Sequence, residues 1–585
     1  MSTNISKEKR EKLISEIKAI REYISAAPQD ENTGNLLTYL SEIEKDIKGK
    51  KYGLVFEEHR ESIDDILATH TPVLSEDTDL FIDNGGQMNF LIEGDNLASL
   101  QLLEKTHKGR IDLIYIDPPY NTGRKDFIYD DIFVDINDSF RHSKWLSFMS
   151  QRLICSSHLL KSDGILMISI DDRELFNLKV LCDDILGEQN FVSCLSCQSN
   201  PGGDKSDFIE GTLQYVLVYA KNKNNISDFG IIEQIESSDY KLKDNIGYYK
   251  KGGQLEKWGN DDTTHTHPNL AYSIYFNPKT GDVQHLFDYN QDEINSNRAL
   301  CINYDAPNEM LISQGYVCIR PRITNAGENG RWRLEPETFY KRLRNNGFIF
   351  EKTKSGYKIY EKDRLTTSRF VKAKNFIPST IAKQESKELL SLFNRKVFDY
   401  PKPLNLMTYL IGIVQKSEAT ILDFFAGSGT TGHAVMKLNA EDGGNRKFIL
   451  CTNNENDICR DITYERIKRV INKEGYNASL KYYKIDYIPI SDMLYYEYAD
   501  ELLKHIRELV ELENGVNFTG NNEIAILLTE DEVVEFISDE NKLKSCKKIY
   551  LGHDVLLDGN QEYILEKNKI ELNIIPEYYY KELET

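Results

Sequence analysis

The sequence predicts an α/β protein whose doubly wound sheet is written in two separated pieces. Between about 88 and 220, apolar runs of strand length such as IDLIYID and GILMISID alternate with helical patterns. Runs of that kind suit parallel strands buried on both faces. The alternation then stops, and it resumes from about 386 to 485. Neither piece alone holds enough strands for a doubly wound domain, and joined they supply about seven.

The elements follow in order. Residues 1–75 read as a helical region, with EKLISEIKAIREYI and LLTYLSEIEKDI as helices; Leu13, Ile17, Ile20 and Ile24 recur at helical spacing. Residues 76–225 form the first half of the core. Its strands are NFLIEG, IDLIYID, GILMISID, FVSCLSC and LQYVLVYAKN, and its helices are ASLQLLEK, KWLSFMSQRLICSSHLL and LFNLKVLCDDIL. Residues 226–385 break the rhythm with short strands among Gly, Asn, Asp, Lys and Tyr. Residues 386–485 form the second half: strand ATILDFFAG, helix TTGHAVMKLNA, strand KFILCTNNE and helix RDITYERIKRVINKE. Residues 486–585 are acidic and mixed, with one clear helix, ADELLKHIRELVELE.

Composition sets the limits. A chain of 585 residues suggests roughly three to five domains. With 40% hydrophobic and 28% charged residues it has a soluble globular profile. No apolar run reaches membrane-spanning length and MSTNISKEKREK lacks a signal-peptide core, so a cytoplasmic enzyme with no membrane association is expected. The nine cysteines are scattered. Cys194 and Cys197 have CxxC spacing, but no second pair or nearby His completes a metal site; buried small side chains on a strand are expected, and no metal. The net charge of −21 argues against a nucleic-acid partner only if it is spread evenly. It is not: basic residues outnumber acidic ones between Arg320 and Lys374, and the C-terminal region is strongly acidic.

Four motifs sit at strand ends, where ligands of such sheets bind. Asp117-Pro118-Pro119-Tyr120 follows IDLIYI directly. The exocyclic amine of a base is a poor nucleophile because its lone pair is delocalised into the ring. Two acceptors aimed at its hydrogens localise that pair, and the Asp117 carboxylate and the Pro118 carbonyl are the two offered here. The prolines, Pro118 and Pro119, stiffen the backbone, and Tyr120 supplies a flat face for an extruded base. The second motif runs from Asp423 through Phe424, Phe425, Ala426, Gly427, Ser428, Gly429 and Thr430 to Thr431. Its glycines allow a tight turn at a helix N-terminus, which favours a carboxylate, while Asp423 is placed to accept from an ammonium group. There is no P-loop Lys. Glu455, at the end of the strand KFILCTNNE, is placed to hold ribose hydroxyls. Asp95 in Gly94-Asp95-Asn96 is either an adenine-amine acceptor or a helix cap.

Taken together, YGLVFEEHRES, LIEGDNLASLQLL, IDLIYIDPPYNTG, DFIYDD, FRHSKWLSFMSQRL, DGILMISIDDRE, ILGEQNFV, FDYPKPLNLM and DFFAGSGTTGHAV carry a resemblance. The chain resembles the β group of amino-methyltransferases, in which the catalytic half precedes the cofactor half. It looks most like the modification subunit of type III restriction-modification systems. The resemblance implies a circularly permuted Rossmann-like core that uses S-adenosyl-L-methionine to methylate adenine N6 of a base flipped out of double-stranded DNA. It implies that Phe398 and Lys402, in FDYPKP, lie at the methionine moiety of the cofactor. It implies a homodimer and a separate helicase-nuclease restriction subunit, and it makes the insert the target-recognition domain. There Arg320, Arg322, Arg331, Arg333, Lys341, Arg342 and Arg344, with Trp332 and Tyr340 between them, are the candidate DNA contacts. The C-terminal region resembles the family only loosely. The competing readings are cytosine N4 methylation by the same fold, an orphan adenine methyltransferase, and a non-catalytic DNA-recognition subunit.

Overall fold

The computed structural model describes residues 5–26, 36–37, 39–40, 43, 56–57, 59–123, 128–129, 132–135, 137–203, 208–234, 237–259, 261–264, 267–291, 302–325, 327–366, 368–383, 387–490, 501–519, 521–552 and 554–575. Two compact units emerge: residues 1–231 together with 372–585, and Ile232–Val371. The expected helix LLTYLSEIEKDI and the stretch DFIYDD lie largely outside the described residues, as does part of YGLVFEEHRES.

The first unit is organised by ten strands: β1 (His70–Glu76), β2 (Gln87–Glu93), β3 (Ile111–Ile116), β4 (Leu160–Ile170), β5 (Phe191–Gln198), β6 (Leu213–Ala220), β7 (Phe376–Ile377), β8 (Thr420–Asp423), β9 (Lys447–Thr452) and β10 (Ala478–Pro489). Their order across the sheet is β1-β10-β2-β9-β8-β3-β4-β6-β5-β7. The run from β10 to β4 is parallel throughout, and β6 is antiparallel to both its neighbours. Strand β8, late in the chain, lies between β3 and β9. The two pieces therefore interleave into one sheet. The connection after β8 leads towards β9, and that after β3 leads the other way, to β4. The strand order reverses between them, which opens a crevice beyond their carboxyl ends.

Its helices include α1 (Ile5–Ala26), α2 (Ser62–Thr69), α3 (Asn96–His107), α4 (Arg141–Leu159), α5 (Leu175–Cys182), α6 (Leu404–Gly412), α7 (Thr430–Asp442), α8 (Glu465–Glu474) and α9 (Ile506–Asn514). Helices α3, α4, α5 and α9 cover one face of the sheet, and α6, α7 and α8 the other. One apolar core gathers Leu100, Trp145, Leu178 and Leu509 from α3, α4, α5 and α9; the other gathers Met407, Val435 and Ile467 from α6, α7 and α8. Strand β3 shows why the sequence encodes this. All six of its residues are buried, with Ile114 and Ile116 in the first core and Leu113 and Tyr115 in the second. A strand fully covered on both faces reads as an unbroken apolar run.

All seven expected strands are in the sheet, and three more join them. Strand β10 escapes a hydropathy reading because lysines and tyrosines interrupt it. Its Lys481 is nonetheless fully buried, held by Glu511 at 2.5 Å and Glu76 at 3.1 Å. Cys194 and Cys197 sit three apart on β5, so alternation sends them to opposite faces, one against each core. They cannot share a metal. The expected C-terminal helix is interrupted at Lys504 and His505 before α9. Beyond it, Ile524–Leu527, Lys548–Leu551 and Glu571–Ile574 form a small parallel sheet with its own core. Among the described residues, no helix is long and apolar enough to cross a membrane.

The second unit is mostly antiparallel. Four strands, Leu242–Lys243, Tyr248–Gln254, Gly356–Arg364 and Phe348–Thr353, form one sheet; Val283–Leu286, Ser273–Phe276 and Val317–Ile319 form another. Tyr272, Trp332, Phe339 and Phe348 centre its core.

Candidate active site

Asp117, Pro118, Pro119 and Tyr120 leave the carboxyl end of β3, and Asp423 ends β8 beside it. The two motifs thus face the crevice at the reversal of strand order.

Within the first motif the Tyr120 hydroxyl donates to Asp117 Oδ1 at 2.9 Å. Burial, with Asp117 adding to it, pushes the Tyr120 pKa well up, so the phenol keeps its proton. The indole Nε1 of Trp145, fully buried on α4, donates to the Pro119 carbonyl at 2.7 Å. That bond takes up the Pro119 carbonyl and pins the turn. The next residue, Asn121, has a left-handed φ of 56° and donates through Nδ2 to Glu174 Oε1 at 2.6 Å. The motif is therefore held from behind by α4 and by the segment leading into α5.

Lys402 arrives from a distant part of the chain. Its Nζ lies 2.5 Å from the Tyr120 hydroxyl, 3.2 Å from Asp117 Oδ1 and 3.2 Å from Gln214 Oε1. Lys402 therefore joins the Asp117 motif. Phe398, four residues earlier, lies at the turn: a Cβ on Gly427 would sit 3.6 Å from its Cζ. One short segment thus touches both halves of the site.

Gly427 and Gly429 have φ values of 50° and 75°, which an L side chain adopts only under strain. A Cβ on Gly429 would also come within 3.2 Å of Thr463 Cγ2. Gly429→Ala is expected to cost about 1–2 kcal/mol and to weaken cofactor binding, read by thermal melting and by cofactor titration of the variant. Asp423 is almost fully buried beneath the turn. Its carboxylate accepts from the Phe425 amide at 3.0 Å and from the Thr431 hydroxyl at 2.5 Å. Burial pushes its pKa up to about 7, and the nearby Asp117 adds a smaller push. Thr430 opens α7, with its hydroxyl at 2.7 Å from buried Arg466. Phe425 packs against Phe148 of α4, ring centres 5.8 Å apart.

The other two expected cofactor residues differ in setting. Asp95 caps α3, accepting from the Leu97 and Ala98 amides at 2.7 and 3.3 Å. These are the contacts of a helix cap. Its neighbour Asn96 donates to the Phe424 carbonyl at 3.1 Å and accepts from Arg152 at 2.5 Å, and Arg152 holds Glu61 at 2.6 Å. Buried Arg152 thereby ties α2, α3 and α4 to the second motif. Glu455 is exposed and opens a short turn, Glu455–Asp457, beyond Thr452, the last residue of β9. It is a loop residue rather than a strand-end one. Trp145, Glu174, Thr463 and Arg466 were not singled out from sequence. Each acts through a contact distant in the chain, which local spacing does not reveal.

In the second unit the basic residues divide. Arg320 bonds Ser273 and Asp288 at 2.8 and 2.9 Å, Arg322 bonds Asp262 at 2.6 Å, and buried Arg331 bonds Asp261 at 2.7 Å. These three knit the unit together. Arg333 and Arg342 both reach Glu361, at 3.7 and 2.7 Å, but stay exposed, as do Lys341 and Arg344.

A family model described as DNA methylase matches residues 111–465, from β3 through the glycine turn to the start of α8. The chain belongs to the DNA methylase family. It is 35% identical over 367 residues to the type II methyltransferase M.KpnI of Klebsiella pneumoniae, covering 62% of this chain and 79% of that one. It is 31% identical over 406 residues to the EcoPI Mod subunit, a type III restriction-modification enzyme of Escherichia phage P1. That match covers 64% of this chain and 58% of the Mod subunit, so the chain spans less than two thirds of that relative's length. A solved M1.HpyAVI–SAM complex shares 14% identity, covering 65% of this chain and 98% of that one, at a TM-score of 0.27.

The methylase draws its methyl group from S-adenosyl-L-methionine. The residues present fit that group. A buried acid lies under a turn that only glycines fold without strain, at the N-terminus of α7, across the crevice from the Asp117 motif.

Proposed function

We propose that the methylase acts on the N6 amine of an adenine flipped out of duplex DNA, as the modification subunit of a type III restriction-modification system. The observation that carries this reading is Asp117, which directly follows β3 at the reversal of strand order, close enough to buried Asp423 to raise its pKa. The bound cofactor supplies an activated methyl on a sulfonium. Asp117 Oδ and the Pro118 carbonyl accept from the two amine hydrogens, and Asp117 is the group that takes a proton when the amine nitrogen becomes tetrahedral. Tyr120 offers its ring to the flipped base. Asp423, the turn Gly427–Thr430, Phe398 and Phe425 hold the amino-acid end of the cofactor, with Glu455 at the ribose and Asp95 near the adenine. Lys402 counters the charge on Asp117 until the base arrives. Among relatives of this group a Ser in place of Asp117 is commoner for cytosine, which favours adenine here. The second unit is the target-recognition domain, and Arg333, Lys341, Arg342 and Arg344 are its exposed candidates for DNA contact. The working form is a homodimer, with a separate helicase-nuclease subunit for cleavage.

The raised Asp423 pKa gives this reading a pH signature. The neutral acid of the free enzyme must ionise to receive an ammonium group, so binding releases a proton. Affinity therefore rises with pH, by about tenfold between roughly pH 5.5 and 7. The stability sign is opposite. A carboxyl whose folded pKa lies above its unfolded value stabilises the fold below about pH 4 and loses that contribution as pH rises through about 7. Calorimetric titration in buffers of different ionisation enthalpy checks the first and chemical denaturation across about pH 4–8 the second, with Asp423→Asn expected to flatten both profiles.

The deciding experiment is expression in a bacterial host that lacks adenine methylation, followed by base-resolution mapping of its DNA. N6-methyladenine confined to one short motif is expected, on one strand only for a type III enzyme. Marks on cytosine N4 would overturn the base assignment. Clean DNA beside folded, cofactor-binding protein would favour a non-catalytic recognition subunit.

A further inference from the structure

Beneath the glycine turn lies a charge cluster of two buried bases and two partly exposed carboxylates. Arg466, on α8, is 2% exposed. Its Nη1 donates to the Ser428 carbonyl at 3.2 Å, to Ser428 Oγ at 3.2 Å and to Thr430 Oγ1 at 2.7 Å. Its Nη2 donates to Glu388 Oε1 at 3.2 Å. The same Glu388 oxygen lies 2.9 Å from Nδ1 of buried His433, which sits on α7 just past the turn. Glu474 closes the far side, 3.7 Å from His433 Nε2. Together Arg466 and His433 hold the Glu388 carboxyl below its usual pKa despite burial. Thr463, from the same stretch of chain as Arg466, adds a bond at 2.6 Å to the Gly427 carbonyl.

The glycines make the turn possible but do not choose its conformation. Glycine populates many backbone states, so something else must select one. The guanidinium does so by geometry. A planar fork with fixed donor directions gathers one carbonyl and two hydroxyls from Ser428 and Thr430, on either side of Gly429, then anchors to a carboxylate on another segment. That segment, Lys387–Phe393, runs directly into the stretch carrying Phe398 and Lys402.

We propose that Arg466 is the positioning residue of the cofactor site. It holds the glycine turn in its binding conformation and, through Glu388, registers that turn against the segment bearing Phe398 and Lys402. The inference rests on the turn being the cofactor site.

The test compares the full-length protein with Arg466→Lys and Glu388→Gln. Three quantities are read: S-adenosyl-L-methionine Kd by calorimetry, Kd for a random-sequence 30-base-pair duplex by fluorescence anisotropy, and the melting temperature. Lysine keeps the charge but not the fork. Arg466→Lys is expected to raise the cofactor Kd about tenfold while duplex Kd stays within about twofold. Glu388→Gln is expected to raise the cofactor Kd about threefold, and the double variant to fall short of the product of the two. A lower melting temperature with unchanged cofactor Kd in Arg466→Lys would reduce the residue to a packing role. If that variant does not fold, Glu388→Gln decides, and an unchanged cofactor Kd there overturns the proposal. Failure of the wild type to bind cofactor would instead overturn the reading of the turn.

Discussion

Asp117→Ala is expected to lower the rate of methyl transfer by about a thousandfold while the cofactor Kd changes by no more than about threefold. The carboxylate sits at the end of β3 with Tyr120 and Lys402 both directed at its Oδ1, at 2.9 and 3.2 Å. It does not hold the glycine turn, whose bonds go to Asp423, Thr463 and Arg466. Removing it deletes an acceptor that matters most as positive charge develops on the attacking nitrogen. The loss therefore falls on the chemical step and spares cofactor binding. Asp117→Asn keeps one oxygen acceptor but loses the charge, so an intermediate rate is expected. Single-turnover transfer to duplex carrying the mapped motif, alongside cofactor titration, separates the two effects. Near-normal transfer by the alanine variant would remove Asp117 from the mechanism.

Lys481→Met is expected to produce the largest loss of stability, about 3–5 kcal/mol. Lys481 and Glu511 are both fully buried and 2.5 Å apart, and Glu76 lies 3.1 Å from the same ammonium. Taking away the cation leaves Glu511 buried with its charge poorly compensated. The Tyr483 hydroxyl and the Phe518 amide still donate to it, at 3.0 and 2.8 Å, and the half-exposed Arg507 stays 3.5 Å from Oε1, a longer and solvent-screened ion pair that replaces only part of the lost compensation. The pair joins β10 to α9, so its loss is expected to loosen the C-terminal region from the sheet. Replacing both partners with apolar residues, Lys481→Met with Glu511→Leu, is expected to recover much of the loss. Chemical denaturation of the two variants and the wild type checks this. Equal stability of the single and double variants would show that the ion pair is not the source.

The catalytic architecture was legible from sequence because its signals are local. A strand buried on both faces must be apolar along its whole length, as Ile111–Ile116 is, and DPPY follows it without a gap. The turn at Gly427 and Gly429 needs left-handed backbone, which glycine announces at its own position. The exchange of the two halves was legible for the same reason: each half carries its own motif, and their order is read directly. Strand β10 was missed because its buried Lys481 looks like a surface residue until Glu511 and Glu76 are brought to it. Composition likewise made Arg320, Arg322 and Arg331 candidates for DNA contact. Only the fold reveals Asp288, Asp262 and Asp261 opposite them, because opposite charges pair across the fold as readily as between molecules. The sequence by itself determined the fold class and the place of the two motifs at strand ends. Tertiary structure decided which charges remain exposed, that Lys402 joins the Asp117 motif, and that Arg466 supports the glycine turn. Those outcomes depend on partners far apart in the chain, and no local pattern records which of many possible partners a buried charge will meet.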